Sequence, residues 1–198
     1  LSLNLKSPKG YAVFEELVKI SDVVLTNQPL DARKRLRLDY ESVKAINPRV
    51  IYASMTPLGE EGAEASKKLF DRTSYWPRSG LMDLMRPKGT TPKRYYVPGQ
   101  GDHAVAVSLF AGIMMGLWER ERTGKGCKVA TSLLHNGLWA NGLSVQAGLC
   151  GLDFPSPVWN YDVLDAFWKP IYQSKDGRYI MLDTVRTPAE RDNMLKAL

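Results

Sequence analysis

The stretch Ser21 to Met55, SDVVLTNQPLDARKRLRLDYESVKAINPRVIYASM, sets the fold class. Asp22 to Thr26 is a short apolar run suited to a buried parallel strand. Asn27-Gln28-Pro29 breaks it. Arg33 to Leu38 is basic and reads as a short helix. Asp39 to Ile46 reads as a second helix, with Tyr40, Val43 and Ile46 on one face. Asn47-Pro48 ends that helix, and Arg49 to Met55 is apolar again at strand length. Strand, helices and strand in succession predict an α/β protein with a parallel sheet covered by helices on both faces.

Outward toward the start, Ser7 and Pro8 open a helix as cap and first-turn residue. Val13, Phe14, Leu17, Val18 and Ile20 follow at helical spacing. Leu1, Leu3 and Leu5 alternate as a strand would. Toward the end, Pro57, Gly59 and Gly62 mark loops. A helix starting near Asp71 occupies part of Lys67 to Met85, with Tyr75, Trp76, Leu81 and Met82 apolar. Arg86 to Arg94, rich in Pro, Gly and Thr, reads as a surface loop.

Next comes PGQGDHAVAVSLFAGIMMGLWERERTGKG, Pro98 to Gly126. This is a helix with both ends marked. Asp102 takes the capping position, facing the free N–H groups of the first turn, where the helix dipole favours its ionised form. The apolar run behind it predicts a buried helix. Most such aspartates are caps and nothing more. An ionised carboxylate beside glycines that admit a ligand is nevertheless a good place for a nucleophile.

Cys127 to Thr131 reads as a strand, and Ser132 caps a second long helix through Cys150. Gly151 to Lys169 reads as a linker. Pro170 to Leu182 forms a hairpin turning at Lys175-Asp176-Gly177, and Thr187-Pro188-Ala189-Glu190 opens a last helix. The organisation expected is a large domain over 1–150, a linker over 151–169 and the start of a small α+β domain over 170–198. The chain begins at Leu1 in mid-pattern and ends at Leu198 in mid-helix, so it reads as a piece of a longer protein.

Composition narrows the function. Of 198 residues, 44% are apolar, enough for a core, and the net charge is +6. The excess is scattered except for Arg33-Lys34-Arg35-Leu36-Arg37. That run has two readings: phosphate contacts beyond a strand end, or a solvated basic helix face. A nucleic-acid-binding module built on it is a weak rival, because no aromatics interleave with the charges. Cys127 and Cys150 show no metal spacing, so no metal site is expected and a reduced, cytoplasmic setting is. The longest apolar run, roughly 16 residues, falls short of a membrane span. His103 and His135 read as packing or capping residues, and Trp76, Trp118 and Trp139 as core. Lys67 and Lys68 share the two readings of the basic run. No GxGxxG, GxxxxGK[ST], HExxH or GxSxG is present.

Taken in order, several pieces resemble the family III CoA-transferases, the group that includes formyl-CoA transferase, carnitine CoA-transferase and the α-methylacyl-CoA racemases. They are LNLKSPKG at Leu3, SDVVLTNQP at Ser21, RLRLDYESVKAINPRVIYASMTPLG at Arg35, GQGD at Gly99, ERERTGKGCKVATSLLH at Glu119 and YQSKDGRYIML at Tyr172. The resemblance implies a Rossmann-like large domain and transfer of CoA from an acyl-CoA donor to a small carboxylic acid. It implies that Asp102 is the nucleophile, that Asn27, Ala32, Arg35 and Lys68 contact CoA, and that Phe70, Asp71 and Gly101 lie on the substrate side. It also implies an interlocked homodimer, with neither nucleic acid nor membrane as partner. The racemases carry a His where Phe70 stands, which favours transfer over racemisation. The segment 153–169 lacks the Gly-rich loop of many transferases. In this, and in PGQGDH, the chain is similar to the subgroup that handles 2-hydroxyacyl or aryl acids.

Overall fold

The computed structural model describes residues 2–85, 91, 97–152, 171–181 and 187–197. The chain divides into two compact units, Leu1–Ser156 and Pro157–Leu198. Most of the expected surface loop at Arg86 to Arg94 lies outside the described residues, as do 153–169 of the expected linker.

Helix α1 (Pro8–Ile20) starts where the Ser7 hydroxyl accepts the Gly10 N–H at 3.0 Å. The alternating leucines before it make no strand among the described residues. Asn4 accepts the Lys6 N–H on its side chain at 3.1 Å and the Ser7 N–H on its carbonyl at 3.0 Å, so the backbone turns locally instead of pairing. Strand β1 (Val23–Thr26), helices α2 (Leu30–Arg35) and α3 (Tyr40–Ile46) and strand β2 (Ile51–Thr56) then follow. Helix α2 starts at Leu30, three residues before the basic run. Asp39 caps α3 by accepting the Ser42 N–H at 3.2 Å.

The helix expected across Lys67 to Met85 is three short pieces: a 3₁₀ turn at Asp71–Thr73, α4 (Tyr75–Arg78) and α5 (Leu81–Leu84). Gly80, at φ +81°, sits in the left-handed region between the last two, a conformation that other residues resist. Helix α6 (Gln100–Thr123) is continuous and stops at Gly124. Strand β3 (Cys127–Ser132) leads into α7 (Leu133–Ala140) and α8 (Gly142–Leu149). The single helix expected here breaks at Asn141, whose amide donates to the Ser79 carbonyl at 2.8 Å and ties the break to α4.

The three strands form a parallel sheet in the order β1-β2-β3, with Val23 opposite Ile51 and Ile51 opposite Cys127. Alternation along β2 puts its two faces into two cores. Tyr52 packs with Val18, Val43 and Val50 beneath α1 and α3. Ile51 points the other way, against Gly116 of α6. A second core joins Tyr75, Trp76, Val105 and Leu133. The α/β expectation therefore holds, with helices on both faces. Burial, though, is concentrated in β2; Leu25 of β1, expected inside, is exposed.

Helix α6 departs most from expectation. Val105, Leu109 and Gly116 pack inward, while Val107, Phe110, Met114, Met115 and Trp118 are exposed. It also reaches membrane-spanning length and apolarity, which the sequence reading did not anticipate. One face nevertheless lies on the sheet, as a core helix does. Trp139 is exposed as well, so of the three tryptophans read as core only Trp76 belongs there.

In the second unit, β4 (Ile171–Gln173) and β5 (Tyr179–Met181) pair antiparallel, as the hairpin reading expected. Arg178 and Ser174 hold the Asp176 carboxyl in its turn down to about 2. Helix α9 (Pro188–Ala197) opens with a capping box. The Thr187 N–H donates to the Glu190 carboxylate at 2.9 Å, and the Glu190 N–H to the Thr187 hydroxyl at 3.3 Å.

Candidate functional site

A parallel sheet ends all its strands at one edge, and ligands of such sheets bind there. Here the edge carries a cleft of about 730 Å³. Asn27, Gln28 and Pro29 enter it from the end of β1, Met55, Thr56 and Pro57 from the end of β2, and Leu133 from just after β3. The segment Lys67 to Arg72 forms another wall, and the first turn of α6 contributes Gly99 and Asp102. Lysines and an arginine stand beside apolar groups, so an anionic ligand with an apolar portion matches the lining.

The start of α6 is built by Asp71. Gly99 adopts φ +76°, and its N–H donates to Asp71 Oδ2 at 2.9 Å. The Gly101 N–H donates to Asp71 Oδ1 at 3.1 Å. Asp71 is only 6% exposed, so this is a buried carboxylate closing two free amides of a helix N-terminus. A Cβ at Gly101 would overlap that carboxylate and the Tyr75 side chain. Asp102 is therefore not the cap it was expected to be. It stands at the third helical position, bonds no amide as a cap, and is exposed in the cleft wall. Desolvation pushes its carboxyl above the usual aspartate range; the negative charge of Asp71 adds to this and His103 opposes it. A more basic carboxylate is a better nucleophile once ionised.

The other expected positions sort into two groups. Asn27, Lys68, Phe70 and Asp71 line the cleft with Asp102, and Phe70 is 73% exposed there. Ala32 and Arg35 do not line it; they lie on α2, with Arg35 exposed. Gly101 is buried, with its N–H given to Asp71. Lys67 pairs with Glu64. His103 and His135 are exposed rather than packed. Tyr75 and Trp76 are buried in the core and do not face a ligand in the cleft.

The basic run is split by the fold, and neither reading of it holds for Arg33. Arg33 is 2% exposed. Its Nε donates to the Gln28 carbonyl at 2.6 Å and its Nη2 to the Met55 carbonyl at 2.9 Å. Its Nη1 reaches Ser54 Oγ at 2.7 Å and pairs with Glu60 at 2.8 Å. Glu60 also takes Ser54 and Lys128. Arg33 thus ties the loop after β1 to the end of β2, two walls of the cleft. One signal was available: Leu30, Arg33 and Leu36 share an inward stripe at helical spacing. Its partners Ser54, Met55 and Glu60, 21 to 27 residues away, left none.

Burial raises the Glu60 carboxyl, but Lys128, Ser54 and Arg33 together outweigh it and hold the group below the usual glutamate range. A lowered folded value means stability that is present above the unfolded value, about 4.3, and lost as pH falls through the folded one. Glu60→Gln is expected to cost about 1.5–3 kcal/mol at neutral pH. The gap from the unsubstituted protein should close in acid. Urea midpoints taken from pH 7 to pH 3 read this directly, and parallel curves would contradict it.

Comparison with known proteins matches the family described as CoA-transferase family III over residues 1–198. The chain is 37% identical over 145 residues to the cinnamoyl-CoA:phenyllactate CoA-transferase of Clostridium sporogenes, covering 73% of this chain and 35% of that protein. It is 30% identical over 189 residues to the (R)-2-hydroxy-4-methylpentanoate CoA-transferase of Clostridioides difficile, covering 94% and 46%. Among solved structures it is similar to a CAIB/BAIF family protein from Brucella suis, with a TM-score of 0.68 and 27% identity over 78% of this chain and 40% of that one. The chain spans less than half the length of these relatives.

Proposed function

The chain belongs to CoA-transferase family III, and from that premise we propose that it carries the nucleophile and a CoA-facing wall of an enzyme that moves CoA from an acyl-CoA donor to a carboxylic acid acceptor. The observation that carries the reading is Asp102, an exposed carboxylate at the tip of α6, in one cleft with Asn27 and Lys68.

An Asp102 oxygen attacks the thioester carbonyl; the C–S bond breaks, giving a mixed anhydride and CoA thiolate. The thiolate attacks the aspartyl carbonyl and expels the donor carboxylate, leaving an aspartyl-CoA thioester. The acceptor carboxylate attacks that carbonyl, releases the thiolate and forms a second anhydride. The thiolate then takes the acceptor acyl group and frees Asp102. No proton is gained or lost overall, so the cycle needs no general acid, and covalent catalysis divides one hard transfer into easier steps. Lys68, at the cleft, faces the anionic parts of CoA, and Arg35, outside it on α2, meets the distal phosphates.

The donor and acceptor are aryl or branched 2-hydroxy acids. Phe70 and Leu69 in the cleft support this, as do the relatives named for phenyllactate and 2-hydroxy-4-methylpentanoate. Phe70 cannot exchange a proton, which supports transfer over racemisation. The exposed apolar stripe of α6, from Val107 to Trp118, supports a homodimer in which a second copy covers it.

The test is mass spectrometry of the full-length protein after incubation with cinnamoyl-CoA or a branched 2-hydroxyacyl-CoA and trapping with hydroxylamine. A hydroxamate at Asp102 is the expected result. No adduct with any acyl-CoA, despite measurable CoA binding, overturns the reading.

A further inference from the structure

We propose that Asp71 is a positioning residue for acyl transfer: by holding the first turn of α6, it fixes the direction in which Asp102 enters the cleft. The inference rests on the reading of Asp102 as nucleophile. Asp71 borders the cleft, but each of its oxygens already accepts a backbone amide, Oδ2 from Gly99 and Oδ1 from Gly101. It is 6% exposed, and it lies on a 3₁₀ turn whose next helix, α4, is anchored in the second core through Tyr75 and Trp76. The left-handed Gly99 supplies the bend that brings both amides onto one carboxylate. Asp102 follows Gly101 directly, so the Gly101 bond holds the peptide one residue before the nucleophile and, through it, the turn from which Asp102 projects. Reaction at a carbonyl is sensitive to ångström displacements, and this bond is a direct control on them.

Asp71 has a second influence that a cap of neutral atoms would lack. Its negative charge faces Asp102, whose other charged surroundings among the described residues are His103 beside it and Lys67, Lys68 and Arg72 in the same cleft. Removing the Asp71 charge makes Asp102 easier to ionise, so acylation persists to lower pH. Geometry and charge therefore separate by substitution. Asp71→Asn and Asp71→Ser are neutral and accept fewer amide bonds. Asp71→Glu keeps the charge but misplaces the oxygens.

The experiment measures single-turnover hydroxamate formation and steady-state transfer in the full-length protein against pH, with cinnamoyl-CoA as probe. Asp71→Asn is expected to lower kcat roughly 10- to 100-fold with little change in KM for the thioester, and to move the acid limb of the acylation profile to lower pH. Asp71→Ser repeats the limb shift should the asparagine variant fold poorly. Asp71→Glu is expected to lower kcat while leaving the limb in place. An unmoved limb in both neutral variants, or kcat within twofold of the unsubstituted enzyme in all three, overturns the inference while leaving Asp102 as nucleophile. Absence of any Asp102 adduct in the unsubstituted protein overturns both together.

Discussion

Asp102→Asn is expected to form no covalent adduct and to lose at least about 10⁴-fold in transfer rate, as removal of a nucleophile does in other covalent enzymes. A carboxamide has nearly the shape of the carboxylate but does not attack a thioester to give an anhydride. Binding of CoA should change little, because Asn27 and Lys68, the other cleft residues assigned to it, are untouched. Stability should change little as well. Asp102 gains about 0.3–1 kcal/mol from the positive end of α6. It loses part of that to the Asp71 charge and to desolvation, the influences that raise its carboxyl. The balance is within about 1 kcal/mol, so the variant folds and its inactivity reports chemistry. Transfer within tenfold of the unsubstituted rate would remove Asp102 from the mechanism and return it to the bland role of a residue near a helix start.

The second large effect is on stability. Arg33→Met is expected to cost about 3–5 kcal/mol, the range for breaking one side of a buried ion pair. Glu60 loses a partner, and the Gln28 and Met55 carbonyls lose their Arg33 donors. Lys128 still pairs with Glu60, which keeps the cost from rising further. Arg33→Lys should recover little, since one ammonium on a flexible stem cannot span four acceptors that a planar guanidinium reaches at once. The double variant Arg33→Met with Glu60→Leu should recover part of the loss, because an apolar pair leaves no buried charge behind, though the two carbonyls remain unpaired. Because Arg33 pins Gln28 beside Asn27, CoA affinity should fall in the single variant. Urea unfolding and CoA binding measured on the same samples check both effects. A loss below about 1 kcal/mol would mean that water or neighbouring groups substitute for the guanidinium.

These two residues show how differently a site can be legible. Asp102 stood out because the signals around it are local: a Gly-x-Gly turn, an acid and a long helix within five residues. The structure keeps it in the cleft but moves it from the cap to the third helical position. The capping role passes to Asp71, some thirty residues away, which no local pattern marks. Arg33 shows the reverse. Its immediate neighbours are cations, so charge counting placed it on a solvated face or against phosphate. Its true partners come from β2, the loop after it and the loop before α2, and only the closed sheet assembles them.

The sequence by itself determined the alternation of strands and helices, the parallel sheet and the caps at Ser7 and Ser132. It determined the hairpin around Gly177 and the motif order that marks the family. Each of these depends on groups a few residues apart, whose geometry the backbone dictates. Tertiary structure alone decided burial and helix continuity. The apolar run of α6 predicted an interior helix, yet half its large side chains face outward, because a three-stranded sheet can cover one face of a helix and not the other. The long helices read before Met85 and after Ser132 broke where Gly80 and Asn141 meet across the fold. There, one bond from Asn141 to Ser79 satisfies what two regular helices would leave unpaired.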